Sequence, residues 1–393
     1  MRTLDSLEGI EGERVLVRVD FNVPLDEAGS ITDDARIRAA LPTLTELRER
    51  GARLVLAAHL GRPKGHDPKL SLRPAAERLR ELLGVEVVLA PAVVGPEAEE
   101  LAEGLRNGGV LMLENVRFEP GETENDPELA RAYARLAPIY VNDAFGAAHR
   151  AHASTEGVAH LARQSAAGRL LEREVTVLRG ILDDPVRPLV AVVGGAKVTD
   201  KIGVIDAFLR RADTILIGGA MCFPFFAAQG HEIGSSLCEE EGVEPARRAL
   251  AQAGQVGAAG GLELPVDLVA AGEFSADAEP QPLDGVDVPE GLMGLDVGPR
   301  TAERYAEAIA GAGTVFWNGP MGAFELEPFS AGTRRVAEAV AVAPGTTVVG
   351  GGDSAAAMAQ FGLDDEVDHL STGGGASLEL IEGRALPGVE ALS

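Results

Sequence analysis

The sequence predicts an α/β protein of two domains, and three observations lead to this. Short apolar runs rich in β-branched residues alternate with helix-spaced segments along the chain, the pattern of parallel sheets covered by helices. The 48 glycines fall at strand ends, where tight turns into helices are expected. At 393 residues the chain is long enough for two domains of ordinary size, each with its own core.

The first half contains five predicted strands and three predicted helices. Apolar runs that stop at proline, glycine or a polar turn predict the strands, and helical spacing of apolar residues predicts the helices. The strands are 15–19, 53–58, 85–89, 110–113 and 139–141, and the helices are 33–50, 74–83 and 127–136. Because parallel strands end at one edge of a sheet, polar residues that follow them are expected to gather there. These residues are Asp20, Asn22, His59, Arg62, Arg117 and Asn142.

A charged amphipathic helix over residues 168–182, followed by Asp183, Asp184 and Pro185, is the natural junction between two strand-rich halves. The second half repeats the alternation. Its predicted strands are 189–193, 214–217, 265–270, 314–317 and 346–350, and its predicted helices include 302–310 and 330–342. Residues 271–292, rich in Asp, Glu, Gly and Pro, are predicted to be a surface excursion.

Two of the four lysines in the chain follow the strand at 189–193. Lys197 and Lys201 come after Gly194 and Gly195, and we expect them on one face of the first turn of a helix. Cations at a helix amino terminus oppose the helix dipole, so local stability does not explain them. A polyanion bound at that end would explain them.

Glycine-rich turns recur in the second half, and backbone N–H groups of such turns can approach a phosphate closely. The turn at 350–354 is the most informative, because Asp353 and Ser354 at the start of a helix suit an Mg²⁺–phosphate complex. A plain helix N-cap at Asp353 is the alternative. The P-loop, the dinucleotide fingerprint and the protein-kinase motifs H-R-D and D-F-G are missing from the sequence.

The formal net charge of −26 argues against nucleic acid or an anionic membrane surface as a partner. An anionic substrate therefore needs a local cluster of basic side chains. The first half supplies Arg36, Arg62, Arg117 and Arg150 near His59, a candidate pocket for a small, multiply anionic ligand. The acidic, lysine-poor composition is open between a salt-adapted cytoplasm and arginine-favouring codon use.

The two cysteines, Cys222 and Cys238, belong to no metal-type pair, and the first residues lack the apolar core of a signal peptide. The most apolar window, residues 214–228, is too short to span a bilayer. These features predict a reduced, cytoplasmic protein.

Ten motifs, in order along the chain, resemble those of the phosphoglycerate kinase family. They are VRVDFNVP (17–24), HLGRP (59–63), LENVRF (113–118), NDAFG (142–146), AHRAH (148–152), GGAKV (194–198), DVGP (296–299), WNGPMG (317–322), GGGDS (350–354) and STGGGAS (371–377). The resemblance implies two Rossmann-like domains with parallel sheets, facing a cleft and joined by an interdomain helix. It implies a phosphoglycerate-binding domain at 1–168, the helix at 169–183, a nucleotide-binding domain at 184–377, and a segment at 378–393 that returns to the first domain.

The resemblance also implies the reaction and its partners. The expected activity is reversible in-line transfer of phosphoryl from 1,3-bisphosphoglycerate to ADP, giving 3-phosphoglycerate and ATP, with domain closure and with Mg²⁺ accompanying the nucleotide. The expected protein is a monomer. Because the acceptor in the ATP-consuming direction is a carboxylate that is already ionised, no general base is needed, which agrees with the lack of an obvious acid–base pair.

The site residues follow from the same resemblance, motif by motif. Arg36 and Lys197 are expected to be catalytic, stabilising the transferring phosphoryl. Phosphoglycerate is expected at Asp20, Phe21, Asn22, Arg36, His59, Leu60, Gly61, Arg62, Arg117 and Arg150. The nucleotide is expected at Lys201, Glu325, Gly351, Gly352, Asp353 and Ser354, with Asp353 also holding Mg²⁺ through the nucleotide.

Two readings from other classes are weighed against this one. A nucleotide-dependent dehydrogenase would also be a two-domain α/β protein, but it should carry the dinucleotide fingerprint, which is missing. A non-catalytic ligand-binding protein would not need two lysines and an acid in one half and an arginine pocket in the other.

Overall fold

The computed structural model describes residues 1–255 and 261–393. The chain divides into two compact units, one of Met1–Thr176 with Ala385–Ser393 and the other of Val177–Arg384. The division falls inside a helix at Arg169–Asp183, which we number α5 below. The first unit therefore resumes at Ala385, seven residues after the position that the resemblance implies, because a helix at Gly375–Ile381 packs within the second unit.

The first unit is built on one parallel sheet of six strands. The strands are β1 (Arg14–Arg18), β2 (Arg53–Ala57), β3 (Val87–Leu89), β4 (Val110–Met112), β5 (Ile139–Asn142) and β6 (Gln164–Ala167), in the order β3-β4-β2-β1-β5-β6. Its helices are α1 (Ala35–Glu49), α2 (Arg73–Leu83), α3 (Pro96–Glu103), α4 (Pro127–Leu136) and the first part of α5 (Arg169–Asp183). Fully buried Val and Leu side chains of β1 and β2 form the centre of the core.

Local chemistry explains several helix ends in this unit. Helix α4 begins at Pro127, and the Asp126 carboxylate accepts hydrogen bonds from the N–H groups of Glu128 and Leu129. Helix α2 ends at Leu83, and its C-cap is Gly84, whose φ of 63° is a left-handed conformation that favours glycine. These sequence signals are local, so the corresponding predictions at 127–136 and 74–83 agree closely with the structure.

The second unit contains a six-stranded parallel sheet and a separate antiparallel sheet. The parallel strands are β7 (Leu189–Val193), β8 (Thr214–Ile217), β9 (Gly261–Glu263), β13 (Thr314–Asn318), β14 (Thr346–Gly350) and β15 (His369–Leu370), in the order β15-β14-β13-β7-β8-β9. The antiparallel strands are β10 (Leu268–Ala271), β11 (Gln281–Leu283) and β12 (Met293–Val297). The predicted α/β class with parallel sheets is confirmed.

Helices cover the sheets of the second unit, and one last helix returns to the first. They are α6 (Ile202–Phe208), α7 (Phe223–Gln229), α8 (Val243–Gln255), α9 (Pro299–Ala310), α10 (Ala331–Ala341), α11 (Gly352–Phe361) and α12 (Gly375–Ile381), and α13 (Pro387–Glu390) lies in the first unit. No helix within the described residues is long and apolar enough to cross a membrane.

Two sequence predictions in the second half are wrong in part. The strand predicted at 265–270 is β10, which belongs to the antiparallel sheet and not to the parallel one. The predicted surface excursion at 271–292 contains β11, which pairs with β10. Short antiparallel pairing is decided by the partner strand, and the polar composition of this segment gives little sign of it.

Candidate functional site

Basic and polar residues gather at the carboxyl edge of the first sheet. Asp20 and Asn22 follow β1, the turn at 59–62 follows β2, Arg117 follows β4 and Arg150 follows β5. All these strands are parallel, so their carboxyl ends share one edge. The predicted gathering of these residues is therefore present in the fold of the first unit.

An ion pair joins two of the predicted residues. Arg36 Nη1 lies 2.5 Å from Asp20 Oδ2, and the N–H of Asn22 donates to Asp20 Oδ1 at 3.2 Å. Burial by itself raises the pKa of Asp20, but the charges of Arg36 and Arg18 and the hydrogen bond from the Asn22 N–H bring it below its ordinary value. The carboxylate therefore stays ionised and holds the Arg36 guanidinium at this edge.

The turn after β2 is fixed by residues from other strands. The Asn22 Oδ1 atom accepts from the N–H of Gly61 at 2.8 Å, and Arg117 Nη1 donates to the Gly61 carbonyl at 2.5 Å. Asn115 Nδ2 donates to the Leu60 carbonyl at 2.8 Å, and its Oδ1 accepts from the N–H groups of Leu60 and Arg117 at 3.3 and 3.1 Å. Asn115 was not predicted as a site residue, although it lies in the LENVRF motif.

His59 is a buried residue of this turn. Burial and the nearby Arg18 lower its pKa to about 3, with Arg117 and Arg36 acting in the same direction and Asp20 opposing them. The imidazole is therefore neutral at physiological pH. It can bind an anion only as a hydrogen-bond donor.

Three of the arginines at this edge line an open cavity of 530 Å³, whose lining does not include Arg36. Arg62, Arg117 and Arg150 contribute to its wall. Phe21 and Leu60, both predicted to bind substrate, have side chains buried in the core, so only their backbone groups can meet a ligand. Asn142, expected with the polar residues at this edge, is fully buried, and its Nδ2 donates to the Gly388 carbonyl at 3.1 Å, so it anchors the C-terminal segment.

In the second unit, three strand-end turns hydrogen-bond to one another. The N–H of Gly194 donates to the Asn318 carbonyl, that of Gly195 to the Pro320 carbonyl, and that of Gly219 to the Met321 carbonyl, each at 2.9 Å. A Cβ atom on Gly319 would lie 2.1 Å from the Gly194 carbonyl oxygen, and its φ is 97°. Only glycine allows these backbones to approach so closely.

The expected position of the two lysines on one helical turn is wrong. Helix α6 begins at Ile202, and Lys197 lies in the preceding turn, while Lys201 is the N-cap residue. The intervening turn is held by Thr199, whose N–H and hydroxyl both donate to the Glu239 carboxylate. The helical spacing in the sequence therefore begins before the helix does.

The environments of the two lysines differ. Lys197 is exposed, whereas Lys201 is half-buried. Burial lowers the pKa of Lys201 to about 8, and the carboxylates of Asp353 and Asp200 oppose this. Burial therefore disfavours the charged form of Lys201, and a bound anion would stabilise that form.

A largely apolar cavity of 670 Å³ lies in the second unit and carries acids on its wall. Its lining includes the backbone at Gly219, the side chains of Leu237 and Phe274, and the carboxylates of Glu325 and Asp353. Phe274 comes from the segment predicted as a surface excursion. The cavity suits a flat, largely apolar ring with a polar attachment.

The glycine turn after β14 leads directly into α11, as predicted. Gly351, with a φ of 92°, is the N-cap residue, so Asp353 is not the cap but lies exposed in the first turn of the helix. Ser354 is fully buried, and its Oγ accepts from the N–H of Gly319 at 2.6 Å. Its hydroxyl hydrogen remains available to donate.

Asn318, at the end of β13, is a site candidate that sequence reasoning missed. Its side chain is fully buried, and both Oδ1 and Nδ2 lack a hydrogen-bond partner within the described residues. A Cβ atom on Gly351 would lie 2.9 Å from the Asn318 Nδ2 atom, so this amide adjoins the glycine turn. A buried amide without a partner indicates a missing ligand group or water.

The donor set near this turn fits Mg²⁺ only as a companion of phosphate. Within residues 1–255 and 261–393 there is no group of three or more His, Cys, Asp or Glu side chains that could hold a metal ion. Mg²⁺ commonly keeps several waters and binds through one or two carboxylates plus substrate phosphates. Asp353 supplies such a carboxylate beside the glycine turn.

Comparisons with known proteins agree on one family. The family model described as "Phosphoglycerate kinase" matches residues 4–384. The cytosolic phosphoglycerate kinase of Triticum aestivum is 53% identical over 386 residues, covering 98% of this chain and 96% of the relative. That of Chloroflexus aurantiacus is 56% identical over 387 residues, covering 97% and 96%. The solved phosphoglycerate kinase structure from Coxiella burnetii has a TM-score of 0.89 at 41% identity, covering 99% of this chain and 98% of that one.

Proposed function

The chain belongs to the phosphoglycerate kinase family, and we propose that its first unit binds phosphoglycerate while its second binds the nucleotide. The enzyme reversibly transfers phosphoryl from 1,3-bisphosphoglycerate to ADP, the reaction of this family. The observation that carries the assignment of substrates is the basic cluster at the edge of the first sheet. A chain of net charge −26 has little other reason to concentrate arginines in one cavity.

In the first unit, the arginines supply charge and the turn residues supply direction. Arg62, Arg117 and Arg150 line one cavity and would hold the phosphate of phosphoglycerate by charge-assisted hydrogen bonds. Asn22 and His59 lie at the same strand ends and would meet its carboxylate and hydroxyl. Asp20 holds Arg36 Nη1 at 2.5 Å, and the other N–H groups of Arg36 would point toward the transferring phosphoryl.

In the second unit, the apolar cavity would hold the adenine, with Glu325 at the ribose. The backbone of Gly351 and Gly352 and the positive end of α11 would receive the phosphates. Burial lowers the pKa of Lys201 to about 8, and a neighbouring polyanion would stabilise its charged form. Asn318 supports the same assignment, because its buried amide needs a partner and adjoins the glycine turn.

The chemistry requires charge neutralisation more than proton transfer. The phosphoglycerate carboxylate is ionised at neutral pH and attacks without a base. Charge then spreads over the phosphoryl oxygens, and preorganised cations and N–H groups stabilise it. Arg36 and the exposed Lys197 are the residues we assign to this role.

We propose that Mg²⁺ enters with the nucleotide and that Asp353 is the residue that contacts it. When bound, the ion would neutralise charge on the nucleotide phosphates. We also propose a cytoplasmic location, supported by the relative from Triticum aestivum named as cytosolic. A monomeric state and the domain closure that the sequence resemblance implies both stay predictions.

A coupled assay tests the assignment. The purified protein is mixed with 3-phosphoglycerate and MgATP, and release of ADP is followed. Arg36→Ala and Lys197→Ala should each lower kcat by about a hundredfold, the scale of losing one preorganised donor. Arg38 lies two residues after Arg36 on α1, is exposed and pairs with Asp34. Arg38→Ala should leave kcat unchanged.

Near-normal kcat in both Arg36→Ala and Lys197→Ala would remove these two residues from the mechanism. No ADP release with the wild-type chain, at any Mg²⁺ concentration, would contradict the activity itself. Replacing MgATP by ATP with a chelator should abolish turnover, and unchanged turnover would contradict the role given to Asp353.

A further inference from the structure

A buried arginine lies behind the His59 ring. Arg18, the last residue of β1, is only 1% exposed. Its Nη2 lies 3.0 Å from His59 Nδ1, its Nε donates to Ser154 Oγ at 2.8 Å, and its Nη1 donates to the Val19 carbonyl at 2.5 Å. A guanidinium fixed through all three nitrogens has little freedom to reorient.

The Ser154 hydroxyl that accepts from this arginine is itself held by a buried carboxyl group. Ser154 Oγ donates to Glu122 Oε1 at 2.5 Å, and the N–H of Ser154 donates to Glu122 Oε2 at 3.1 Å. The hydroxyl of the fully buried Tyr133 donates to Glu122 Oε2 at 3.3 Å. Burial raises the pKa of Glu122, while Arg18 and these hydrogen bonds oppose the rise. A continuous series of hydrogen bonds thus links five residues, Tyr133, Glu122, Ser154, Arg18 and His59.

The contact between Arg18 and His59 decides where the imidazole proton is. A guanidinium carries N–H donors and no acceptor, so His59 Nδ1 must accept. A neutral imidazole that accepts at Nδ1 carries its proton on Nε2. We propose that Arg18 is a positioning residue that fixes His59 as the neutral Nε2–H tautomer, so that this N–H donates to the anionic substrate. The role of the N–H rests on the proposed phosphoglycerate site.

The charges around His59 act in the same sense. Arg18 on β1, Arg36 on α1 and Arg117 after β4 all disfavour a second proton on the ring, and Asp20 is the acid that opposes them. Burial adds to the cost of an imidazolium. The pocket therefore takes its positive charge from arginines, which stay protonated, and uses the histidine for direction alone.

This arrangement has a functional consequence. Were His59 an ordinary exposed histidine, the affinity for an anion would change as pH crosses about 6.5. Burial and the Arg18 charge together remove that change from the physiological range. Substrate binding then keeps one strength between pH 6 and 8, apart from titration of the substrate phosphate.

The wild-type protein provides the first test. Selective ¹⁵N labelling of the seven histidines allows long-range ¹H–¹⁵N correlation spectra, and His59→Gln identifies the signals of this ring. We expect a pyridine-like Nδ1 and a protonated Nε2 that persist from pH 6 to 8. Adding 3-phosphoglycerate should shift the Nε2 signal more than the Nδ1 signal. A protonated Nδ1, or an imidazolium in this range, would overturn the proposal.

A paired substitution provides the second test. Arg18→Met with Glu122→Gln removes the donor and its carboxyl partner together, so that no lone charge remains buried. The Kd for 3-phosphoglycerate at pH 8 should rise about tenfold, the scale of one hydrogen bond to a charged group. The pKa of His59 should rise as well, while burial, the larger cause of its lowering, remains. The KM for nucleotide should not change.

The control is another ion pair whose arginine lies on the same strand. Arg14, the first residue of β1, pairs with Glu103 at 3.8 Å, and Arg14→Gln with Glu103→Gln should alter neither the tautomer nor the affinity. An unchanged tautomer and an unchanged Kd for 3-phosphoglycerate in the Arg18 variant would show that Arg18 is only structural. If the Arg18 variant does not fold, the wild-type spectra still decide. Correct spectra without 3-phosphoglycerate binding would contradict the proposed substrate site, whereas binding with the wrong tautomer would contradict the role of Arg18.

Discussion

Asn115→Ala should damage the proposed phosphoglycerate site because it removes hydrogen bonds that hold the site in place, and not because it removes a contact with the substrate. Asn115 is fully buried and makes hydrogen bonds to the Leu60 N–H and carbonyl, the Arg117 N–H and the Leu70 carbonyl. The substitution leaves four backbone groups without this partner, the two of Leu60 in a buried setting. At about 1–3 kcal/mol for each buried unpaired group, and less where water can enter, the loss is about 3–5 kcal/mol of unfolding free energy.

The assay combines amide hydrogen exchange with steady-state kinetics. The amides of Leu60 and Arg117 should lose protection first, because both donate to Asn115 Oδ1. The KM for 3-phosphoglycerate should rise at least about tenfold, since a shift of the 59–62 turn misplaces its donors, while the KM for nucleotide stays unchanged. Asn107→Ala, an exposed position in the same unit, should stay within about 0.5 kcal/mol of wild type. Retained protection and an unchanged KM in Asn115→Ala would refute this reasoning.

Two further predictions concern the nucleotide. The KM for ADP should rise as pH increases past about 8, by up to about tenfold per pH unit, because the pKa of Lys201 lies near 8 and only its charged form attracts phosphate. Lys201→Ala should raise the KM for ADP at pH 7 and remove this pH dependence. The control is Lys69→Ala, at an exposed lysine of the first unit, which should retain it. A pH dependence that survives in Lys201→Ala would show that another group titrates. Asn318→Ala should raise the KM for ADP about tenfold but change the unfolding free energy by no more than about 1 kcal/mol, because its amide has no protein partner to lose within the described chain. Loss of stability with an unchanged KM would instead make Asn318 a structural residue.

Much of the site could be predicted because it depends on strand ends. Asp20, Asn22, His59 and Arg117 each follow an apolar strand, and parallel pairing places those ends at one edge. The start of α6 could not be predicted in the same way. Helical spacing begins near Lys197, but the bonds from Thr199 to Glu239, forty residues away, hold this segment as a turn.

Other features of the fold depend on contacts that leave no local signal. β6 has no β-branched run, and it is a strand because it pairs along β5. The antiparallel sheet of the second unit forms because β10 pairs with β11 on one side and with β12 on the other. The C-terminal segment joins the first unit through bonds such as that of Asn142 to Gly388.

The sequence by itself determined the α/β alternation, the motifs and the identity of most groups that we propose to face the substrates. These follow from residue preferences and spacing within a few positions of the chain. Only the tertiary structure decided the states of those groups: Asp20 bound to Arg36, Lys201 partly desolvated, and His59 held by Arg18. The physical reason is that burial and hydrogen-bond partners set protonation and orientation, and both come from residues distant in sequence.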